Sequence, residues 1–265
     1  MALSVVRSIM AGVIIMLSEN TRLKLRKMSL SQMDEEYERQ MRDESALNLS
    51  FDERFGMIID NEYARRHNNR LNRLIKKAGF ADTTACVENI SYDTERKLNA
   101  SLIQTLASCT FIEDKRNVCI LGPTGAGKSF LATAFGIAAC RKSYTVKYTG
   151  LQDMLIELAA GKVDGTFNKV LAVYNTVKLL ILDDWLMFDI VDDGEAAILY
   201  NLIEKRKYVG SIIVCSQIDA KGWHGKIGNK IAADSICDRL VNSSYKIVVE
   251  GEMRKKLAVP IFAEA

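Results

Sequence analysis

Apolar residues repeat with two different periods along the chain, and the change of period divides it into two parts. From Thr21 to about Ala81 they recur every three or four residues, as on amphipathic helices, and no proline interrupts them. After residue 115, short apolar runs alternate with helical patterns. We therefore predict three or four helices first, and then an α/β domain whose parallel sheet is covered on both faces.

The individual elements follow from these patterns. Ser50 and Glu53 have the spacing of a capping box, which predicts that a helix begins after Ser50. Strands are predicted over residues 118–121, 145–148, 178–182, 211–215 and 245–249. Helices are predicted over residues 94–108, 130–141, 151–160, 193–207 and 230–241. Gly161 is expected to end the third of these helices.

The first apolar run leads directly into a glycine-rich loop followed by a lysine and a serine. The pattern G-x-x-x-x-G-K-S between a strand and a helix is typical of a phosphate-binding loop, and this context argues against a chance glycine-rich turn. Its glycines let backbone N–H groups surround the phosphates of ATP, its lysine can reach the β- and γ-phosphates, and its serine can ligate Mg²⁺. The residues assigned to nucleotide binding are Gly122, Pro123, Thr124, Gly125, Ala126, Gly127, Lys128, Ser129 and Phe130.

Two carboxylates, Asp183 and Asp184, end the apolar run at residues 178–182. Such a pair is often only a strand-ending turn, but downstream of a phosphate loop it is typical of an NTPase, because ligands bind at the carboxyl ends of the strands. We assign Asp183, together with Ser129, to Mg²⁺ and Asp184 to polarising the attacking water. Gln217 follows another apolar run and is expected to orient the γ-phosphate and the water.

The last helix of the first part is rich in cations. Residues 65–77 contain six arginines and lysines and no carboxylate. At 3.6 residues per turn, one face of this helix carries Arg66, Arg70, Arg73 and Lys77. An unneutralised cationic face suits contacts with DNA phosphates, while a solvated basic surface without a ligand is the open alternative. DNA binding is favoured slightly by a second basic cluster, Arg22, Lys24, Arg26 and Lys27.

Composition and charge narrow the choice of function classes. The net charge is only +3, so an argument for nucleic-acid binding depends on local clusters. The six cysteines form no C-x-x-C motif, which argues against a zinc site, and we interpret Cys119 and Cys215 as core residues in a reducing cytoplasm. The apolar run at residues 9–17 is too short to span a bilayer. For residues 1–15, a functional segment and a translation start upstream of the true one at Met16 both stay open.

Several further segments give the chain a resemblance to a known family. Together they are similar to the IstB/DnaC group of AAA+ ATPases, and specifically to IstB-like insertion-sequence ATP-binding proteins. The segments that carry the resemblance are residues 179–185, 216–217, 233–240 and 251–255 in the second part, and residues 17–20, 49–54 and the basic helix in the first. The resemblance therefore spans nearly the whole chain from about Met16.

This resemblance implies an AAA+ core with a five-stranded parallel sheet, preceded by a small all-α N-terminal domain. Arg239 matches the family's arginine finger, which completes the site of a neighbouring subunit, and Arg254 matches the sensor-2 arginine, which contacts the γ-phosphate within the subunit. With Lys128, Asp184 and Gln217 they form the predicted catalytic set. Asp184 stands where many AAA+ proteins have glutamate, and its shorter side chain is expected to slow hydrolysis.

The resemblance also implies a domain organisation and a function. We expect an upstream extension at residues 1–15, a helical DNA-binding or interaction domain at residues 16–85 and an AAA+ ATPase domain at residues 86–265. The predicted protein is a cytoplasmic transposition helper ATPase of an insertion sequence, which binds ATP and Mg²⁺ at homo-oligomer interfaces, assembles on duplex DNA and acts with a transposase. Two alternatives stay open: a replicative helicase loader of the DnaC type, and an ATP-dependent DNA-binding scaffold that hydrolyses ATP weakly.

Overall fold

The structure is a computed structural model that describes residues 17–92, 97–242 and 244–251. The chain divides into two compact units, Met1–Arg70 and Leu71–Ala265. The division falls within one long helix and not after residue 85, where the sequence suggested a boundary. Leu71, Leu74 and Ile75 pack against the core of the second unit, and this packing assigns the end of the helix to that unit.

The first part of the chain is helical, as its periodicity predicts. Its described helices are α1 (Glu19–Lys27), α2 (Ser31–Arg42), α3 (Glu44–Leu47) and α4 (Phe51–Ala78). The predicted capping box is confirmed, because the Glu53 backbone N–H donates to Ser50 Oγ at 3.3 Å and the Ser50 N–H donates to Glu53 Oε2 at 2.8 Å. These two bonds satisfy backbone donors that would otherwise be unpaired at the start of α4.

Buried carboxylates hold the helices of the first unit together. Asp34 on α2 is 3% exposed and accepts hydrogen bonds from Arg22 at 2.7 Å and Arg26 at 3.1 Å, both on α1. The Arg22 guanidinium holds the pKa of Asp34 below its usual range. Glu36 on α2 accepts from Asn61 on α4 at 2.6 Å. Two arginines of the second basic cluster therefore serve as internal ion-pair partners, because a buried carboxylate requires a counter-charge.

The second unit is built on a parallel sheet whose strands match the predicted apolar runs. The strands are β1 (Val118–Leu121), β2 (Val146–Gly150), β3 (Leu179–Asp183), β4 (Ser211–Ser216) and β5 (Tyr245–Val248). They form a five-stranded sheet in the order β2-β3-β4-β1-β5. All paired strands run parallel, so their carboxyl ends lie at one edge of the sheet. Segments that follow β1, β3 and β4 consequently meet at this edge.

Helices cover both faces of the sheet. The described helices of the second unit after α4 are α5 (Ala100–Ala107), α6 (Thr110–Glu113), α7 (Lys128–Arg141), α8 (Leu151–Asp164), α9 (Phe167–Thr176), α10 (Asp193–Arg206), α11 (Ala220–Trp223) and α12 (Lys230–Val241). Side chains alternate between two cores. Ile181 of β3 packs in the core that contains Phe135 of α7, whereas Leu180 and Leu182 pack in the core that contains Leu199 of α10. Both faces are therefore apolar, as the continuous apolar runs predict.

The cysteines of the central strands lie in these two cores. Cys119 is 3% exposed and Cys215 is 0% exposed, so their interpretation as core residues is confirmed. Cys119 belongs to the core on the α10 side, and Cys215 belongs to the core on the α7 side. Neither cysteine is in a disulfide. Burial raises the pKa of the Cys119 thiol to about 11, which keeps it neutral.

Two helices differ from the sequence prediction. Helix α8 continues to Asp164 and ends at Gly165, whose φ of 76° is in the left-handed region that glycine favours. Gly161 does not end the helix; a Cβ on it would lie 3.1 Å from Phe167 Cα, so it lets α9 approach closely. Helix α5 begins at Ala100, after the Asn99 side chain accepts from a backbone N–H, and residues 97–99 before it are not helical. The predicted start at residue 94 lies outside the described residues.

Candidate functional site

The glycine-rich loop joins β1 to α7 at the carboxyl edge of the sheet. Gly127 precedes α7 with a φ of 92°, a conformation that a side chain would strain. Gly122 passes close to another backbone segment, because a Cβ on it would lie 2.3 Å from the carbonyl oxygen of Val249. The loop therefore turns tightly and presents the first N–H groups of α7, and the positive end of its dipole, to a ligand.

Lys128 is the first residue of α7 and is only 7% exposed. Its Nζ donates to the Pro123 carbonyl oxygen at 2.9 Å, within the same loop. Burial lowers the pKa of Lys128, and the nearby charges of Asp183 and Asp184 oppose this effect. A partly desolvated ammonium group that is bonded to a neutral carbonyl group is well suited to a polyphosphate, which would supply a stronger counter-charge.

The acidic pair lies at the end of β3, beside the loop. Asp183 is 6% exposed, and its two oxygens accept hydrogen bonds from the Asp184 N–H at 2.9 Å and from the Tyr148 hydroxyl. Asp184 has a φ of 49°, and its side chain is exposed. Loss of hydration and the neighbouring Asp183 charge raise the pKa of Asp184. Together with the Ser129 hydroxyl, Asp183 provides the oxygen donors that Mg²⁺ prefers.

The segment after β4 also reaches the loop. The Thr124 hydroxyl donates to Gln217 Oε1 at 2.7 Å. Gly122 is joined to the same strand, because its N–H donates to the Ser216 carbonyl oxygen at 3.2 Å. The structure thus places Gln217 against the phosphate loop, as its position after an apolar strand predicts.

Tyr148 is a member of this constellation that the sequence did not indicate. It lies on β2, whose register with β3 pairs Tyr148 with Ile181, two residues before Asp183. A tyrosine on a strand carries no motif by itself, and only the pairing of β2 with β3 brings its hydroxyl to Asp183. The one available signal was that a polar aromatic residue occurs near the carboxyl end of a predicted strand.

Arg239 is not brought to the phosphate loop of its own subunit. The Asn117 side chain donates to the Arg239 carbonyl oxygen at 3.1 Å, and Asn117 immediately precedes β1, whereas the phosphate loop follows it. The Arg239 guanidinium forms an ion pair with Glu204 and lies 5.2 Å from the centre of the Tyr200 ring. Arg239 therefore lies at the amino edge of the sheet, across the strands from the nucleotide loop. Arg254, like residues 1–15, lies outside the described residues.

The predicted DNA-contacting residues are exposed on α4, but their charges are not equivalent. The Arg66 guanidinium pairs with Glu62 at 2.6 Å and donates to the Ser29 carbonyl oxygen at 3.1 Å. A carboxylate one turn earlier, outside the basic run, therefore reaches Arg66. Because Glu62 also pairs with Arg65 at 2.7 Å, it offsets the charge of the two arginines only in part. Arg70 and Lys77 have no ion-pair partner in the part of the chain that the structure describes.

The fold and this site together define the class of protein. A five-stranded parallel sheet in the order β2-β3-β4-β1-β5 carries a phosphate loop after β1 and an acidic pair after β3. A polar residue after β4 contacts the phosphate loop. This arrangement is that of a P-loop NTPase with an AAA+ core. None of the helices in the described stretches is both long and apolar enough to cross a membrane.

Comparison with known sequences identifies the family. The model of the family described as IstB-like ATP binding protein matches residues 23–259, and the chain belongs to this family. The chain is 32% identical over 241 residues to the insertion sequence ATP-binding protein y4pL of Sinorhizobium fredii, covering 91% of this chain and 98% of that protein. It is 35% identical over 203 residues to the ATP-binding protein of insertion sequence IS1162 from Pseudomonas fluorescens, covering 77% and 87%, respectively. Membership of this family makes the chain an ATP-binding protein.

Comparison with solved structures supports the AAA+ fold. The chain aligns with AMPPCP-bound DnaA from Aquifex aeolicus at a TM-score of 0.55 and 18% identity, covering 67% of this chain and 54% of DnaA. It aligns with the DnaC helicase loader at a TM-score of 0.52 and 17% identity, covering 63% of this chain and 98% of the loader. At these identities the comparisons establish the fold alone.

Proposed function

We propose that this protein hydrolyses ATP with Mg²⁺ and uses the nucleotide to assemble on duplex DNA, as a helper of an insertion-sequence transposase. One observation carries the ATPase part of the proposal: the loop at Gly122–Ser129, the pair Asp183 and Asp184, and Gln217 converge at one edge of the sheet, although they are far apart in sequence. The hydrogen bond of 2.7 Å between Thr124 and Gln217 joins two of these segments directly.

Each group at this edge has a chemical role in phosphoryl transfer. Lys128 and the N–H groups of the loop bind the β- and γ-phosphates, while Ser129 and Asp183 hold Mg²⁺, which neutralises phosphate charge when it is bound. The Asp184 carboxylate orients and polarises the attacking water, and the Gln217 side chain helps to orient the γ-phosphate and this water.

The position of Arg239 supports assembly. A side chain at the amino edge of the sheet is far from its own phosphate loop, and it would reach the loop of an adjacent copy by leaving its ion pair with Glu204. Such a contact is heterologous, so it generates a ring or a helical filament with one nucleotide at each interface. In this arrangement Arg239 stabilises charge on the neighbour's γ-phosphate. For Arg254, the resemblance alone supports a contact with the γ-phosphate of its own subunit.

Duplex DNA is the proposed substrate of the assembled form. The exposed cations Arg70, Arg73 and Lys77 suit phosphate contacts that do not read the base sequence. Assembly along a duplex multiplies such weak contacts, so ATP is expected to strengthen binding. The transposase is proposed as partner, and the cytoplasm as location, because the relatives are named as insertion-sequence proteins.

Steady-state phosphate release, with and without duplex DNA, tests the ATPase. The parent is expected to hydrolyse ATP when Mg²⁺ is present and to do so faster on DNA. Lys128→Ala should lose tight ATP binding, whereas Asp184→Asn should bind ATP and not hydrolyse it. Asp60→Asn, which changes an exposed carboxylate on α4 outside the nucleotide site, is the matched control and should behave as the parent does. If Asp184→Asn hydrolyses ATP at the parental rate, the role assigned to the Asp184 carboxylate is wrong. If the parent binds ATP but does not turn it over, the weakly hydrolysing scaffold is favoured.

A helicase loader would share the same ATPase core, so the core does not separate the two functions. The family match begins at residue 23 and so includes the helical unit, which supports the insertion-sequence role. A transposase reading frame directly upstream of the gene is the expected context. Co-purification with a replicative helicase, and not with a transposase, would favour the loader.

A further inference from the structure

The Tyr148 hydroxyl contacts a proposed ligand of the divalent cation. It donates a hydrogen bond to Asp183 Oδ2. The other oxygen of the Asp183 carboxylate, Oδ1, accepts from the Asp184 N–H at 2.9 Å. Each oxygen of this carboxylate thus has a donor that limits rotation of the group.

The pairing of β2 with β3 places this hydroxyl within reach of Asp183. Tyr148 pairs with Ile181, and Asp183 lies two residues further along β3, so both side chains are on the same face of the sheet. A step of two residues is about 6.6 Å along a parallel strand, a distance that a phenol ring can span. The ring itself is held by Phe80, whose centre lies 6.1 Å away in an edge-to-face arrangement at 61°.

The chemistry of the group suits a donor that remains neutral. A tyrosine phenol ordinarily titrates at about pH 10, so at neutral pH the Tyr148 hydroxyl keeps its proton and can donate. A carboxylate that ligates a metal is commonly held by an outer hydrogen-bond donor of this kind.

We propose that Tyr148 is a positioning residue for the divalent cation of the nucleotide site. Its hydroxyl holds the Asp183 carboxylate in the orientation that a cation requires. This inference rests on the proposed function, because it assumes that Asp183 and Ser129 bind the cation. Tyr148 does not contact the reacting atoms in this role; it acts through Asp183.

Tyr148→Phe tests the role, because it removes the hydroxyl and keeps the ring that packs on Phe80. Binding of a fluorescent ATP analogue is measured in EDTA and as a function of Mg²⁺ concentration, and Mn²⁺ binding is measured by electron paramagnetic resonance. The variant should need about 10- to 100-fold more Mg²⁺ for half-maximal effect, the usual cost of losing an outer-sphere partner. Its affinity for the analogue in EDTA should match that of the parent.

Tyr144→Phe is the matched control. It removes another tyrosine hydroxyl that donates to a carboxylate, that of Glu113 at 2.7 Å, at the amino end of the same strand. It should show the parental Mg²⁺ and Mn²⁺ dependence. Asp183→Asn is the reference for loss of a ligand and should need more Mg²⁺ than Tyr148→Phe does.

Three results with Tyr148→Phe would overturn the inference alone, provided that Asp183→Asn shows the expected loss. The first is a Mg²⁺ requirement equal to that of the parent. The second is a lower Mg²⁺ requirement, which would mean that the hydroxyl competes with the cation. The third is an equal loss of analogue binding with and without Mg²⁺, which would mean that the substitution damages the whole nucleotide site. If analogue binding by the parent does not depend on Mg²⁺, the proposed cation site fails and the inference fails with it.

Discussion

The clearest contrast that the structure predicts is between two arginines one turn apart on α4. From the sequence, Arg66 and Arg70 carry equal charges on one helix face and should contribute equally to DNA binding. In the structure, the Arg66 guanidinium is paired with Glu62, whereas Arg70 is exposed without an ion-pair partner among the described residues. We therefore expect Arg70→Ala to weaken binding to duplex DNA more than Arg66→Ala does.

The magnitude follows from counterion release. Each phosphate contact that is lost lowers the slope of log K against log salt by about 0.9 for duplex DNA. Over a fourfold rise in salt, from about 50 to 200 mM, Arg70→Ala should therefore lose about 3.5-fold less affinity than the parent does. Arg70→Ala/Lys77→Ala should lose about 12-fold less over the same range, from a slope change of about 1.8. Arg66→Ala should change the slope less than Arg70→Ala does, because the Arg66 guanidinium is held by Glu62, which also pairs with Arg65.

The assay is fluorescence anisotropy of labelled duplexes of unrelated sequence, titrated across this salt range with and without ATP. The effect of each variant should be the same on every duplex, because phosphate contacts do not read bases. Equal slopes for Arg70→Ala, Arg70→Ala/Lys77→Ala and the parent would assign this helix face to solvent and place the DNA contact elsewhere. A slope change for Arg66→Ala as large as that for Arg70→Ala would show that the Glu62 pair does not compensate the charge.

Three further predictions concern assembly, acid stability and backbone conformation. Mixing Arg239→Ala with Lys128→Ala should partly restore phosphate release, because each protein supplies what its neighbour lacks; no rescue at any ratio, with both still assembling, would count against the trans role. The pKa values of Asp34 and Glu36 are lower in the folded protein than their unfolded values of 3.8 and 4.5. Both carboxylates therefore stabilise the fold at a pH above the unfolded values, and this stabilisation is lost as the pH falls through the folded values. Thermal melts followed by circular dichroism should therefore show the helical unit destabilised below about pH 4; an unchanged melting temperature there would contradict this. Gly165→Ala should lower the free energy of unfolding in urea by about 1 kcal/mol, because φ at this position is 76°. Gly225→Ala, where an added Cβ would meet no atom within 4 Å, is the control and should lower it much less.

The sequence alone determined the parts of this protein whose signals are local. A phosphate loop is a run of consecutive residues whose types are fixed by backbone conformation and charge, so Gly122–Ser129 could be found without any tertiary information. The central strands β1, β3 and β4 were found because both of their faces are buried, which makes each of them a largely continuous apolar run, whereas the edge strands β2 and β5 are only partly buried. The capping box at Ser50 and Glu53 is local for the same reason. The order of these elements then favoured one class of fold.

Only the tertiary structure decided which distant side chains meet. The contact of Tyr148 with Asp183 depends on the register between β2 and β3, which no residue pattern in either strand specifies. The predicted end of helix α8 at Gly161 was wrong, because a glycine can either terminate a helix or let another segment approach closely. Only the packing of α9 against Gly161 distinguishes these two roles. The compensation of Arg66 likewise depends on where a carboxylate on a neighbouring turn points. Such contacts depend on distances between segments in space, and a sequence records only the order of residues along the chain.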